Sequence, residues 1–229
     1  MHAGLLQASV CARYVCPVAD EKIVHAAVIV AHPDDETLWA GGTILSRPGL
    51  RWFVAALCRG DDPDRAPKFR RAIKQLKAEG DIGLMDDGPE QRPLPEAVVQ
   101  QAILGLLPHE EFDLVLTHSP RGEYTRHRRH EETGRAVLAL WRDGRILTDE
   151  LWLFAYEDGG RRYLPRAVEN ANRVETLGEK VWQEKHRVVT DVYGFAPESF
   201  EARTTPRAEA FWCLQSAVEA ETWLQEEGK

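Results

Sequence analysis

The sequence predicts an α/β fold, a three-layer α/β/α, Rossmann-like arrangement with a mostly parallel sheet. Short apolar runs of strand length alternate with longer segments of helical period, the pattern of βαβ units. One such run, Val28-Ile29-Val30-Ala31, ends abruptly in His32-Pro33-Asp34-Asp35-Glu36. Strand ends facing a crevice are where open α/β sheets place their ligands. A length of 229 residues at 43% hydrophobic composition suffices for one substantial core, so residues 1–229 are expected to form a single domain.

Each element has its own warrant. His25 to Val30 is continuous and apolar, which suits a buried strand, and Asp35 to Ser46 reads as the helix that follows it. Trp52 to Cys58 is a second strand, closed by the turn residues Arg59-Gly60-Asp61-Asp62-Pro63. Pro67 suits the first turn of a basic helix running to Glu79, with Gly80 as its stop. Pro95 opens a helix through Leu107, Asp113 to Thr117 is a third strand, Glu131 to Trp141 is an amphipathic helix, and Leu151 to Tyr156 is a further strand. From about residue 160 the expectation is helical: polar stretches at Asn172 to His186 and Pro206 to Glu226, joined through Tyr193-Gly194-Phe195.

The formal net charge is −8, from 29 Lys+Arg against 37 Asp+Glu, which excludes general nucleic-acid affinity and favours a small-molecule substrate. Cys11, Cys16, Cys58 and Cys213 lack the paired spacing of a zinc knuckle. The mildly apolar stretch from Gly4 to Ala12 has no basic region before it and is cut short by Arg13, so it does not read as a signal peptide. Nothing approaches the ~20 apolar residues of a membrane span. Reduced thiols and a cytoplasmic location are the expectation.

Three acids beside an imidazole repel one another unless a cation neutralises them. If a strand ends near Ala31 and a helix begins near Asp35, His32 and Asp35 lie across one tight turn and can reach one ion. A carboxylate and a neutral imidazole suit Zn²⁺. A third ligand is available in a histidine-rich segment, where His127 and His130 stand three apart at a helix entrance and share a face, so that either serves. Asp34 flanks the ligand Asp35 and occupies the position of a general base. A cation site, a carboxylate base and an imidazole acid are the parts for hydrolysing an amide or ester.

Ala31-His32-Pro33-Asp34-Asp35-Glu36 resembles, residue for residue, the AHPDDE signature of the PIG-L, or LmbE-like, deacetylases. Gly122-Glu123-Tyr124 followed by His127-x-x-His130 is similar to the family's GEYGHPDH motif. The resemblance implies zinc ligands His32, Asp35 and His130, the base Asp34, and His127 as the acid that protonates the leaving amine or steadies the oxyanion. It also implies Tyr124 as a hydrogen-bond donor to that oxyanion, and an N-acetylated sugar or glycoconjugate as substrate. Lys68 falls near the place where the family often has a substrate-contacting Arg. The chain departs from the motif at Arg128-Arg129, where Arg129 should lower the pKa of His127, and in the spacing of Tyr124, three residues before His127 instead of two.

Other readings stand beside this one. Two His and one Asp are also the ligand set of non-haem Fe(II) oxygenases, so Fe²⁺ is the alternative metal. A non-catalytic metal- or sugar-binding module would keep His32, Asp35 and His130 without needing Asp34 or His127. The Asp of a His-Pro-Asp turn is often a helix cap. His118 is as well suited to a backbone hydrogen bond as to substrate. Arg121, Arg126, Arg128 and Arg129 read as a solvated face paired with Glu123, Glu131 and Glu132. Trp39, Trp141 and Trp152 read as core, whereas Trp182, Trp212 and Trp223 are assigned to covering the C-terminal helices or to a homo-oligomer contact.

Overall fold

The computed structural model describes residues 24–109, 111–124 and 127–225. The expectations for Gly4 to Ala12, Cys11, Cys16 and Arg126 lie outside those residues. The central sheet begins with β1 (Val24–Val30), followed by α1 (Asp35–Ser46), β2 (Leu50–Cys58), α2 (Arg65–Gln75), β3 (Glu79–Met85), α3 (Glu96–Leu106) and β4 (Glu111–Thr117). It continues through α4 (Arg128–Arg142) and β5 (Leu147–Phe154), then a small ribbon of β6 (Tyr156–Glu157) with β7 (Arg166–Ala167). The chain ends in β8 (Arg173–Thr176), α5 (Glu179–Arg187), a π-helical turn over Val188–Val192, α6 (Phe200–Thr204), β9 (Ala208–Leu214) and α7 (Ala217–Gln225).

Seven strands form one sheet in the order β3-β2-β1-β4-β5-β9-β8. The first five are mutually parallel, while β9 runs antiparallel to both β5 and β8. Side chains of a strand alternate between faces, and β1 uses both. Ala26, Val28 and Val30 enter one apolar layer with Trp39, Ile44 and Phe69 of α1 and α2; Ala27 and Ile29 enter the other with Ile103 and Val137 of α3 and α4. Burying each Val or Ile contributes roughly 1.5–3 kcal/mol, which is why a run without alternation is the natural centre of a parallel sheet.

Two expectations are corrected. The helix from Pro67 does not run to Glu79: α2 spans Arg65–Gln75, Lys77 takes a positive φ of 57°, and Gly80 lies inside strand β3 instead of stopping a helix. A Cβ at Gly80 would meet the Val54 carbonyl oxygen at 2.6 Å, so close approach of two strands, not helix termination, is what uses this glycine. The C-terminal portion is not purely helical either. Ala208–Leu214 is strand β9, placed between β5 and β8, and Arg173–Thr176 is an edge strand.

Trp39, Trp141 and Trp152 are buried as expected. Trp182 donates to the Thr205 carbonyl at 3.1 Å and lies beneath Arg207, and Trp212 packs 6.2 Å from Trp223, so all three have partners within the chain. No helix of the described residues is long and apolar enough to cross a membrane.

The order β2-β1-β4 reverses direction between β1 and β4, which makes that gap the topological switch point. His32 follows β1 and His118 follows β4, so both motifs meet at the carboxyl ends of these two strands.

Candidate metal centre

The turn after β1 is unusual in its backbone. Asp34 has φ 113° and ψ −32°, a conformation that non-glycine residues adopt at a cost of roughly 1–3 kcal/mol. It is held there from both sides. Its N–H donates to Glu36 Oε2 (2.9 Å), and its carbonyl accepts from the N–H groups of Thr37 (3.0 Å) and Leu38 (2.9 Å). Glu36 is itself fixed by the hydroxyls of Thr37 (2.6 Å) and Tyr193 (2.7 Å). Asp34 occupies the cap position of α1, yet its side chain makes no capping hydrogen bond; Oδ2 instead accepts from Arg65 Nη1 at 2.8 Å.

The strained turn brings Asp35 inward. Its Oδ1 accepts from Trp39 Nε1 (3.2 Å), and Oδ2 accepts the His32 N–H (3.0 Å) and faces three imidazoles, those of His32, His130 and, at 3.5 Å, His118. His32 Nδ1 lies 3.2 Å from Asp35 Oδ2, His130 Nε2 lies 3.3 Å from the same oxygen, and the two nitrogens are 3.2 Å apart. Tetrahedral ligands at roughly 2.0–2.1 Å from zinc are about 3.3–3.4 Å from one another. The three donors therefore match the spacing of one face of such a tetrahedron, and His127 and His118 stand beside it, each grouped with two of the three donors.

Each histidine is oriented by a carboxylate on its other nitrogen. His130 Nδ1 meets Glu123 Oε2 at 2.9 Å, and His32 Nε2 meets Asp87 Oδ1 at 3.2 Å. Such carboxylate–imidazole pairs fix the tautomer and raise ligand basicity at metal sites. Asp87 is anchored in turn by Arg59 (2.6 Å) and Gln91 (2.8 Å). Glu123 also binds His118: Oε1 lies 2.7 Å from His118 Nδ1, while the Ala31 N–H donates to His118 Nε2 at 3.0 Å. His118 lies within reach of Asp35 and His130, with Nε2 3.5 Å from Asp35 Oδ2, and both its nitrogens have partners within the protein. Cys58 shares a donor cluster with His32 and Asp87, and burial, then the Asp87 charge, pushes its thiol far above the usual range.

His127 precedes α4 with its ring centroid 4.8 Å from His32 and 4.6 Å from His130, and its Nδ1 is buried without a hydrogen-bond partner. Burial, followed by the neighbouring His130 and His32, lowers its pKa to about 4. The direction agrees with the expectation, but Arg129 is not the cause. Arg129 is wholly buried and turned away, with Nε on the Asp86 carbonyl, Nη2 on that of Arg92 (3.0 Å) and Nη1 on Glu132. It ties α4 to the loop that carries Asp87. The expected solvated Arg/Glu face is thus corrected: Arg129 and Glu123 are interior, and Arg128 alone of that pair of arginines is exposed.

Tyr124 packs against Trp39 (centroids 4.9 Å), beside the metal donors. Lys68 pairs with Asp64 (2.7 Å), and Arg65, one turn earlier, is the cation that reaches the site. Asp87, Glu123 and Arg65 were missed as site residues. A signal existed only for Glu123, which lies inside the second motif.

Burial raises the Asp34 pKa well above the usual carboxylate range, the Asp35 charge adds to this, and Arg65 opposes it. Asp34 therefore holds a proton more readily than an ordinary carboxylate. The arrangement can bind one divalent cation and pass a proton at its edge.

In structure, the chain is similar to the N,N′-diacetylchitobiose deacetylase of Pyrococcus horikoshii (TM-score 0.60, 16% identity, 85% of each chain covered). It is also similar to the conserved protein TT1542 of Thermus thermophilus (0.57, 20% identity, covering 82% of this chain and 94% of that one). The 4-carboxy-2-hydroxymuconate hydratase GalB of Pseudomonas putida shares the fold as well (0.54, 15% identity, 80% and 83%). A comparison with curated proteins finds no match. Residues 27–141, which span both motifs and all three donors, match the family described as PIG-L: GlcNAc-PI de-N-acetylase, and the chain belongs to that family.

Proposed function

We propose that the chain is a zinc-dependent hydrolase that removes the acetyl group from an N-acetylated amino sugar or glycoconjugate. The observation that carries this reading is the donor triangle of His32, Asp35 and His130, with Asp34 held beside it in a strained conformation by Glu36 and Arg65. Family membership and the shared fold of a sugar deacetylase support it. Zinc in such a site supplies Lewis-acid polarisation and lowers the pKa of water towards ~7.

The chain's own residues then divide the work. Asp34 takes a proton from the attacking water; its raised pKa lets it keep that proton and return it to the leaving amine. His127, neutral near pH 7 because its pKa is depressed, donates a ring N–H to the oxygen on which charge develops. Asp87 and Glu123 hold the two histidine ligands in the required tautomer. Tyr124, on the wall formed with Trp39, adds a second donor to the oxyanion.

Asp34→Asn tests the central assignment, because Asn tolerates positive φ and so leaves the turn intact. Acetate release from N-acetylglucosamine-type substrates should fall by about 10²–10⁴-fold, with zinc occupancy unchanged by metal analysis. Undiminished turnover removes Asp34 as the base. Oxygen consumption with Fe²⁺ and no acetate from any substrate would replace the hydrolase by an oxygenase.

A further inference from the structure

The two ring nitrogens of His32 face different neighbours. Nδ1 belongs to the donor triangle, while Nε2 meets Asp87 Oδ1 at 3.2 Å. A third side chain closes on this second pair: the ligand atoms of His32, Cys58 and Asp87 all lie within 4.8 Å of one another. The His32–Asp87 pair already has about the spacing of two ligands on one zinc ion, roughly 3.3 Å.

Three adjacent strands supply these residues. His32 follows β1, Cys58 ends β2 and Asp87 follows β3, so the cluster stands across the carboxyl ends of β1, β2 and β3, on the other side of His32 from β4. The register of β2 against β3 shifts between Ala56 and Cys58, the kind of irregularity by which a strand re-aims a side chain. Leu57 and Cys58 accordingly enter the same apolar layer, which consecutive residues of a regular strand do not. The thiol is free and wholly buried.

Around Asp87, Arg59 occupies Oδ2 from Nη2 (2.6 Å) and Nε (3.0 Å), while Oδ1 faces His32 and the Gln91 carboxamide N–H (2.8 Å). The other end of that carboxamide, Gln91 Oε1, is buried with no hydrogen-bond partner among the described residues, and Gln91 takes a positive φ of 45°. A buried acceptor without a donor calls for a partner, and this one lies one amide away from Asp87. A cleft of about 610 Å³, lined by Asp61, Asp62, Asp86 and Asp87 together with Arg59, reaches the cluster from solvent and gives a cation an acidic approach. Burial and the Asp87 charge keep an isolated Cys58 thiol protonated; a cation between sulfur and carboxylate turns their repulsion into two bonds.

We propose that His32 Nε2, Cys58 Sγ and Asp87 Oδ1 form a second cation site, for a thiophilic divalent ion such as zinc, with Gln91 Oε1 as the fourth donor. The ion displaces two protons to solvent, from the Cys58 S–H and the His32 Nε2–H, so the charge of the buried cluster is unchanged and His32 bridges two ions through its two nitrogens. Imidazole and thiolate are the donors that zinc and cobalt prefer. The site stands on the position of these side chains and does not depend on the deacetylase reading.

The test titrates the metal-free full chain with Co²⁺, read by sulfur-to-cobalt charge-transfer absorption and by metal analysis after gel filtration. The triangle of His32, Asp35 and His130 contains no sulfur, so the band reports the second site alone. Cys11→Ser/Cys16→Ser/Cys213→Ser, which leaves Cys58 as the sole thiol, should keep the band and bind two ions per chain. Cys58→Ser in the wild-type background should lose the band and one of the two ions. Absence of the band from the single-thiol chain, or a band that survives Cys58→Ser, overturns the proposal. One ion that carries the band upholds this site and removes the triangle instead. The single-thiol chain decides the matter even if serine in the buried place of Cys58 prevents folding. Neither readout uses acetate release, so failure of the deacetylase reading is seen separately.

Discussion

Glu123→Gln isolates the role of a carboxylate that touches no substrate. Glu123 is fully buried and divides its two oxygens between His118 Nδ1 (2.7 Å) and His130 Nδ1 (2.9 Å). Both histidines should donate to it: His130 because, as a proposed metal ligand, its Nε2 presents a lone pair to the cation, His118 because its Nε2 accepts the Ala31 N–H. A carboxylate accepts from both. A carboxamide of the same shape has one oxygen and one NH₂, and must turn the NH₂ towards one of the two rings.

Either choice has a defined cost. With the NH₂ facing His130, that ring moves its proton to Nε2, and zinc affinity falls by about 10–100-fold, the usual effect of losing an orienting carboxylate. With the NH₂ facing His118, a protonated Nε2 confronts the Ala31 N–H, and a buried unsatisfied donor destabilises the fold by about 1–3 kcal/mol. Chelator-competition titration reads the first outcome, and thermal melts of the metal-free protein read the second. Zinc affinity within twofold of wild type together with an unchanged melting temperature would refute the tautomer argument.

Three further perturbations follow from the same geometry. In the proposed reaction the ionised form of Asp34 is the base, so kcat/KM should fall as pH drops through its raised pKa; Arg65 opposes that rise, and Arg65→Gln should move the acidic limb to higher pH, an unmoved limb counting against the pairing. Gly134→Ala should destabilise by about 1–3 kcal/mol through overpacking, although Gly to Ala in a helix ordinarily stabilises, because the new Cβ would lie 2.4 Å from the His118 carbonyl oxygen and 2.9 Å from Pro120 N; it should also weaken zinc binding, since His130 rides on the same helix, and a raised melting temperature would refute this. Lys185→Met removes one member of a wholly buried pair with Glu209 (2.7 Å) and should cost about 3–5 kcal/mol. That would appear as a melting-temperature drop on the order of 10 °C, and a loss below about 2 °C would be inconsistent with an unpaired buried charge.

What could be read from the sequence follows from how each element is buried. β1 and β4 are buried on both faces and therefore appear as unbroken apolar runs. Strand β3 lies at the sheet edge with Leu84 exposed and two glycines within it, so it lacks both the apolar run and the alternation. Strand β9 was concealed by Glu209, a charged residue in a buried strand. Its carboxylate is tolerated because Lys185 and the N–H groups of Gly42 and Thr43 (2.7 Å each) surround it. None of these partners is near it in sequence. The same rule governs the site. His32, Asp35 and His130, which the fold brings together, stand in local motifs, whereas Asp87 and Arg129 look like surface charges until the fold supplies their partners.

The initial electrostatic problem, three acids beside an imidazole, thus has three different solutions. Glu36 is stabilised without any cation, by two hydroxyls and the Asp34 N–H. Asp34 is balanced by Arg65 from α2. Asp35 turns Oδ2 to the His32 N–H and to the imidazoles of His32, His130 and His118, which hold its carboxyl well below the usual range, and it is the acid placed among the candidate metal donors. The division depends on the backbone: with φ of Asp34 at 113°, consecutive carboxylates point to different partners instead of crowding one ion. The backbone at Asp34 therefore separates the proposed ligand from the proposed base one residue apart, and Glu36, which bonds the Asp34 N–H, holds it together with the N–H groups of Thr37 and Leu38.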